Sequence, residues 1–264
     1  MRDVLLYTIA FDPPGMRVQA GMARLLVESL RTAGYAGGIL LFRNGAPVFA
    51  HRQWELEERE IHTRNLTGLD LAECGCRFKY EAAAKLTDAA NYRRIVYLDA
   101  DMLALRDPEA LWSSDEDILW MGEPESSLQG RSCQGHLTEE DLKRHPDRQA
   151  ANSGTWSVRG ERFCEVMAEV LRILDSPRVG SKSWGDQPAW NKALLSSKFS
   201  TRQLPPDLVG FPAAFSPHYG NYRQSALLHF LGLPPEQKLP LMLGHWAAHR
   251  FRGKTALLMD LLDF

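Results

Sequence analysis

Long apolar runs are missing from this sequence. None approaches the roughly 18 to 20 residues that a membrane-spanning helix needs, so no transmembrane segment is expected. Cysteine is scarce as well. The four present (Cys74, Cys76, Cys133, Cys164) are too few for a disulfide scaffold, and the "CGC" spacing has no second pair with which to build a zinc site. Reduced thiols, together with an opening "MRDVLLYTIAF" whose apolar stretch is too short for a signal peptide, point to a cytoplasmic protein. An excess of one charge is also absent: the formal net charge of −2 gives no reason to expect a nucleic-acid partner. No repeat marks a solenoid.

What remains is a globular composition. With 264 residues, 44% hydrophobic and 24% charged, the chain can bury a sizeable core in one α/β domain. "DVLLYTIAF" reads as a buried strand ended by "DPPG". Apolar residues at helical spacing follow (Val18, Met22, Leu25, Leu26, Leu30), stopped by "GYAGG", and "GILLFRNG" is a second strand. Strand, helix and strand at this spacing make a βαβ unit and a mainly parallel sheet. The charged "RQWELEEREIHTRN" suits a surface helix, and "FKYEAAAKLTDAA" is more clearly helical. "RRIVYL" and "DILWMG" are strands, with a short helix at "DPEALW" between them. Residues 123–151 are polar and predict a long functional loop with a helix at "TEEDLKR". Then come a strand at "GTWSVRG", helices at 161–175 and "DQPAWNKALLSS", and an irregular, proline-rich remainder.

The stretch "RRIVYLDADMLAL" carries the first chemistry. Residues at i and i+2 share a strand face, so Asp99 and Asp101 converge if the strand continues through them. Ligands bind at the carboxyl ends of strands in open α/β sheets, and two carboxylates there repel unless a cation or a shared proton neutralises them. A hard divalent ion that also grips phosphate oxygens is the simplest answer. A solvated strand end is the bland alternative, but four apolar residues running straight into the pair count against it. Two enzyme classes place such a pair after a hydrophobic strand: haloacid-dehalogenase-like phosphatases, with Asp99 as nucleophile, and GT-A glycosyltransferases. The phosphatase motif normally sits on the first strand, whereas here a whole βαβ unit precedes it.

With its other motifs added, the chain resembles the glycogenin and bacterial galactosyltransferase group, the retaining GT-A family 8. "RRIVYLDADML" is similar to that family's "VxYLDADxLV", "ANSGTWSV" to "FNSGVMV", "GDQPAWN" to "DQxxLN" and "LLHFLG" to "HFxGxxKPW". The resemblance covers about residues 3 to 232. It implies a GT-A, Rossmann-like α/β fold with a mixed, mainly parallel central sheet and helices on both faces. One domain over 1–264 is implied, with 1–125 as the nucleotide-binding half and 150–264 as the donor-sugar and acceptor half. The reaction implied is transfer of a hexose, glucose or galactose, from a UDP-sugar to an acceptor hydroxyl with retention. Mn²⁺ or Mg²⁺ would be held by Asp99, Asp101 and His229. Donor contacts would come from Thr8, Ala10, Lys79, Ala100, Asn152, Gly154 and Gly232, with Asp186 near sugar hydroxyls and Gln187 near the anomeric carbon. The acceptor, whether carbohydrate, glycolipid or protein, is left open, as is a homo-oligomer.

The sequence departs from the family in places. The lysine expected three residues after the Gly of "HFxG" is Pro235, and Lys238 is the substitute. Lys79 lies about one turn further back than the family's basic residue, with Lys85 as the alternative, and Glu123 stands in for an acidic residue used on the donor sugar. A catalytically idle UDP-binding protein of the same fold is therefore a third reading. "GHWAAHRF" spaces His245 and His249 like "HExxH" but lacks the Glu, so these histidines and Trp246 line the acceptor side or pack the tail. Arg250, Arg252 and Lys254 form a small basic cluster.

Overall fold

A computed structural model describes residues 2–49, 56–62, 76–81, 83–130, 135–177, 185–212 and 224–250. Cys74, Cys133, Arg252 and Lys254 lie outside them.

Strand β1 (Arg2–Ala10) is central, and its alternation decides the layers. Leu6 and Ala10 pack to one side with Met22, Leu26 and Leu30 of helix α1 (Val18–Thr32). Leu5, Tyr7 and Ile9 pack to the other. Period-2 burial on both faces is what a sheet covered on both sides requires. Strands β2 (Gly38–Arg43) and β4 (Tyr92–Leu98) flank β1 in parallel, as the βαβ pattern predicted. The carboxylate of Asp12 accepts from the Gln19 and Ala20 amides at 2.7 and 2.9 Å, tying the end of β1 to the start of α1.

The charged segment after β2 differs from the expectation. Leu56–Glu60 is not helical but an edge strand, β3, parallel to β2. Leu56 is buried, and Glu58 is drawn in by Arg43 at 2.6 Å and by the amides of Val48 and Phe49. Pairing with β2 and a half-buried ion pair outweigh the helical look of the charges. Helix α2 (residues 76–81 and 83–84) leads to β4.

The full sheet runs β3-β2-β1-β4-β7-β6-β8, with β5-β10-β9 as a second small sheet. Its remaining members are β5 (Met102–Ala104), β6 (Ile118–Ser127), β7 (Gln149–Arg159), β8 (Thr201–Gln203), β9 (Val209–Gly210) and β10 (Leu227–His229). Only β7 runs against its neighbours in the large sheet. The polar stretch 123–151 carries the helix expected at "TEEDLKR", but its two ends are strand rather than loop. Strands β6 and β7 pair out to Ser127 and Gln149, and α3 (Glu139–Arg144) sits between them with a Thr138–Asp141 capping box. Leu128, Leu137 and Ala150 give this extension its own small core. Helices α4 (Gly160–Leu174) and α5 (Gln187–Leu194) cover the Tyr7 face. Helix α6 (Pro235–Arg250) packs on α1, with Met242 and Trp246 buried in that layer.

Candidate active site

The strand carrying "YLDAD" stops one residue before the first aspartate. β4 ends at Leu98, the chain turns through Asp99–Asp101, and β5 begins at Met102. The two carboxylates therefore converge from a turn rather than from one strand face. Two backbone bonds fix that turn: the Asp99 amide donates to Gly154 O at 2.9 Å, and the Phe230 amide to Asp101 O at 3.0 Å. The second bond, with the antiparallel register His229↔Met102, brings His229 beside the pair. Its Nε2 lies 3.2 Å from Asp101 Oδ1 and 3.5 Å from Asp99 Oδ2.

Neither ring nitrogen of the fully buried His229 has a hydrogen-bond partner. The imidazole is close to both carboxylates yet aligned to donate to neither, the arrangement of ligands that face a common point. One ligand atom from each of Asp99, Asp101 and His229 lies within 4.8 Å of the others, close enough to share one metal ion. An O,O,N set of this kind fits a divalent cation. Burial opposes ionisation of both aspartates, but Lys79 and His229 bring Asp99 well below the usual carboxylate range, and His229 and Lys238 lower Asp101. Burial likewise pulls His229 down, and the two carboxylates outweigh it, lifting the imidazole to about 9.

Gly154 makes the approach of these groups geometrically possible. A Cβ there would collide with Asp99 Oδ2 and His229 Cε1, and would come within 3.0 Å of Asn152 Oδ1. Asn152 is buried and spends its side-chain carbonyl on the Gly154 amide at 2.9 Å. The β6–β7 register shifts between Trp120 and Met121, and this irregularity turns the Ser153 and Gly154 backbone toward the turn of β4.

Beside this cluster lies a second charged group. Lys79 on α2 is buried, and its ammonium reaches Asp186 Oδ2 at 2.6 Å, Ser153 O at 2.9 Å and Ser153 Oγ at 3.2 Å. Burial lowers Lys79, but the carboxylates of Asp186 and Asp99 outweigh it and hold the ammonium above its ordinary value. Asp186 also accepts from Tyr80 OH and, on Oδ1, from Ser153 Oγ at 3.2 Å. It precedes α5 but does not cap it; the carboxylate turns inward. Underneath, Tyr80, Tyr97, Trp156 and Trp190 stack as a rigid aromatic floor. Tyr97 OH donates to Asp99 Oδ1 at 2.6 Å, and Tyr7 OH to Lys79 O at 3.0 Å.

Members of both groups (Lys79, Tyr97, Asp99, Asp101, Ser153 and Asp186) line one cleft of about 550 Å³ at the carboxyl ends of the parallel strands. Of the sequence candidates, Lys79, Asp99, Ala100, Asp101, Asp186, Gln187 and Lys238 border it, and His229 and Gly154 lie directly behind the aspartates. Gln187 donates to Glu123 Oε2, so those two candidates meet. Lys238 on α6 forms an ion pair with Asp101 Oδ2. Thr8 is fully buried, with a hydroxyl lacking a partner, on the same β1 face as Leu6 and Ala10. Ala10 borders a neighbouring depression with Asp12 and Asn44. Gly232 forms the turn after β10 at a φ of 76°, where a side chain would be strained. His245 packs edge-on against Phe230, and Trp246 lies against His249 and Arg250, so this group packs the last described helix. Sequence reasoning missed Ser153, Tyr80, Tyr97 and the apolar wall of Ile9, Phe11 and Met16.

No protein-family model and no curated protein matches this sequence. Among solved structures, the apo structure of the bifunctional glycosyltransferase WbbM superposes on it with a TM-score of 0.57 at 16% identity. The match covers 88% of this chain and 46% of that one. The chain has a GT-A fold. It spans about half the length of the WbbM structure, and at this identity the likeness speaks to the fold alone. No helix among the described residues is long and apolar enough to cross a membrane.

Proposed function

We propose that this GT-A chain is a metal-dependent glycosyltransferase that moves a hexose, glucose or galactose, from a UDP-sugar to an acceptor hydroxyl with retention. The observation that carries the reading is the Asp99–Asp101–His229 cluster, whose aspartates border a cleft at the carboxyl ends of the sheet and face Nε2 of the buried imidazole. Residues 1–125 then form the nucleotide half and 150–264 the donor-sugar and acceptor half of one domain.

In this reading Asp99, Asp101 and His229 hold Mn²⁺ or Mg²⁺, which supplies Lewis-acid stabilisation of the departing diphosphate. The chain's own part is orientation. The Lys79–Asp186 pair, with Ser153 and Tyr80, presents a fixed polar edge to the sugar hydroxyls. Gln187, positioned by Glu123, lies at the anomeric side. An amide there is a poor nucleophile, so a covalent glycosyl-enzyme is disfavoured and same-face attack by the acceptor accounts for retention. Preorganised groups of this kind contribute when they bind the transition state more strongly than the ground state.

The test is hydrolysis of UDP-, GDP- and TDP-sugars with Mn²⁺, comparing wild type with Asp99→Asn and Asp101→Asn. The reading expects UDP-sugar turnover that both substitutions abolish, with an α-configured product by NMR from an α-configured donor. Turnover that survives either substitution refutes the metal assignment. Phosphate release from an aryl phosphate, without UDP-sugar turnover, would instead support the phosphatase chemistry that "DAD" alone allows.

A further inference from the structure

The two aspartates of the cluster are held by different kinds of partner. Asp99 Oδ1 accepts from a neutral phenol, Tyr97, leaving Oδ2 toward His229. Asp101 Oδ1 faces His229, and its Oδ2 is taken by the ammonium of Lys238. Lys238 is thus a full positive charge bound to an oxygen of the metal-holding group, and its side chain is 16% exposed. Its helix is anchored from behind. Leu239 packs so tightly on Gly21 of α1 that a Cβ there would come within 2.9 Å of it, and Met242 and Trp246 are buried. Lys238 and Pro235 line the same cleft as the aspartates. A fixed helix with a four-carbon stem lets the ammonium change partners without the backbone moving.

We propose that Lys238 is the internal counter-ion of this site, neutralising Asp101 when no divalent cation is held and handed to the anionic substrate when one is. The inference rests on the metal-dependent reading above. A dication held through Asp101 Oδ1 repels the ammonium on Oδ2 and weakens that ion pair. Once released, its ammonium stays in the cleft, where a diphosphate offers the nearest compensating charge. Lys238 therefore has opposite effects on two ligands: it opposes the cation and favours the anion.

The opposite signs make the test sharp. Mn²⁺ alone is titrated calorimetrically into the full chain as wild type, Lys238→Met and Lys238→Arg; UDP is then titrated into each Mn²⁺-saturated protein. Lys238→Met should bind Mn²⁺ about tenfold more tightly and UDP about tenfold more weakly, a factor typical of losing one charge-assisted contact. Lys238→Arg, which keeps the charge, should stay near wild type. Should the Met variant fail to fold, Lys238→Gln replaces it with the same expectation. Unchanged or weaker Mn²⁺ binding in the Met or Gln variant overturns the proposal, as does equal tightening in Lys238→Arg. If neither wild type nor variant binds Mn²⁺, the metal-dependent reading itself falls, and the inference falls with it.

Discussion

Gly154→Ala tests the site with a single methyl group. Gly154 lies within β7 and is not among the glycines of positive φ, so alanine is acceptable to the backbone. The whole cost is the collision of the new Cβ with Asp99 Oδ2 and His229 Cε1, with Asn152 Oδ1 also at 3.0 Å. Carbon contacts are comfortable at about 3.5 to 4.0 Å, so the carboxylate and the ring must each retreat by about 1 Å. Neither can do so freely. Asp99 is tied to Tyr97 OH and to Gly154 O, and His229 is fully buried in a paired strand. Overpacking of this kind costs about 1–3 kcal/mol. A displacement of about 1 Å also spoils the orientation of a converging ligand set, which should cost about ten- to a hundredfold in metal affinity. Urea unfolding should show the stability loss, and calorimetry with Mn²⁺ the binding loss. Wild-type Mn²⁺ affinity in a folded Gly154→Ala protein would refute the assignment of Asp99 and His229 to one site.

Tyr97→Phe removes the phenol that fixes Asp99, and Mn²⁺ affinity should fall about tenfold by calorimetry. Lys79→Met leaves Asp186 buried without its counter-ion and should cost about 3–5 kcal/mol in urea unfolding. Adding Asp186→Leu to that variant should recover much of the loss; if it does not, the pair is not the source of the cost. On pH, burial of Asp141 raises its carboxyl, but Lys192 and the Thr138 amide outweigh it and hold the group below its ordinary value. A depressed folded value means that the stability Asp141 contributes is complete above about pH 4 and is lost as pH falls through the folded value. Urea midpoints measured from about pH 5 down to 3 should therefore drop less steeply in Lys192→Met than in wild type.

The elements most legible in the sequence carry a single, strong period. β4 reads as a strand because "IVYL" is apolar throughout, and α1 and α4 because their buried residues recur at helical spacing. β3 was not legible, since "LEERE" has one buried apolar residue and owes its strand to pairing with β2 and to the Arg43–Glu58 contact. α6 was hidden for a similar reason: its sixteen residues include Pro240 and bury only Met242 and Trp246, so no apolar stripe announces it. At the site, i, i+2 spacing brought forward the two carboxylates, and the family resemblance brought forward His229 and Gly154. It could not show that Asp186 is already engaged by Lys79, Tyr80 and Ser153. Tyr80 and Asp186 are 106 residues apart and meet only because α2 and the start of α5 close over the same aromatic floor.

If Lys238 takes the diphosphate role proposed above, Pro235 is part of how the fold presents it. The resemblance leads one to expect lysine at this position, and proline cannot supply a charge. Proline does suit the first position of a helix, where its missing N–H is no loss and its φ is already set, and α6 begins there. The Gln237 and Lys238 amides donate to Pro234 O at 3.0 and 3.2 Å, closing the first turn. Residues three apart share a helix face, so Lys238 looks the same way as Pro235, and both border the cleft. Pro235 therefore starts the helix that carries Lys238 into the cleft a turn later, where its ammonium meets Asp101. Lys79 offers no such exchange. It is buried, and its contacts with Asp186 and Ser153 are part of the fold itself. Of the two lysines bordering the cleft, Lys238 is the less enclosed, and on the proposal above anion binding should depend on Lys238 while folding depends on Lys79.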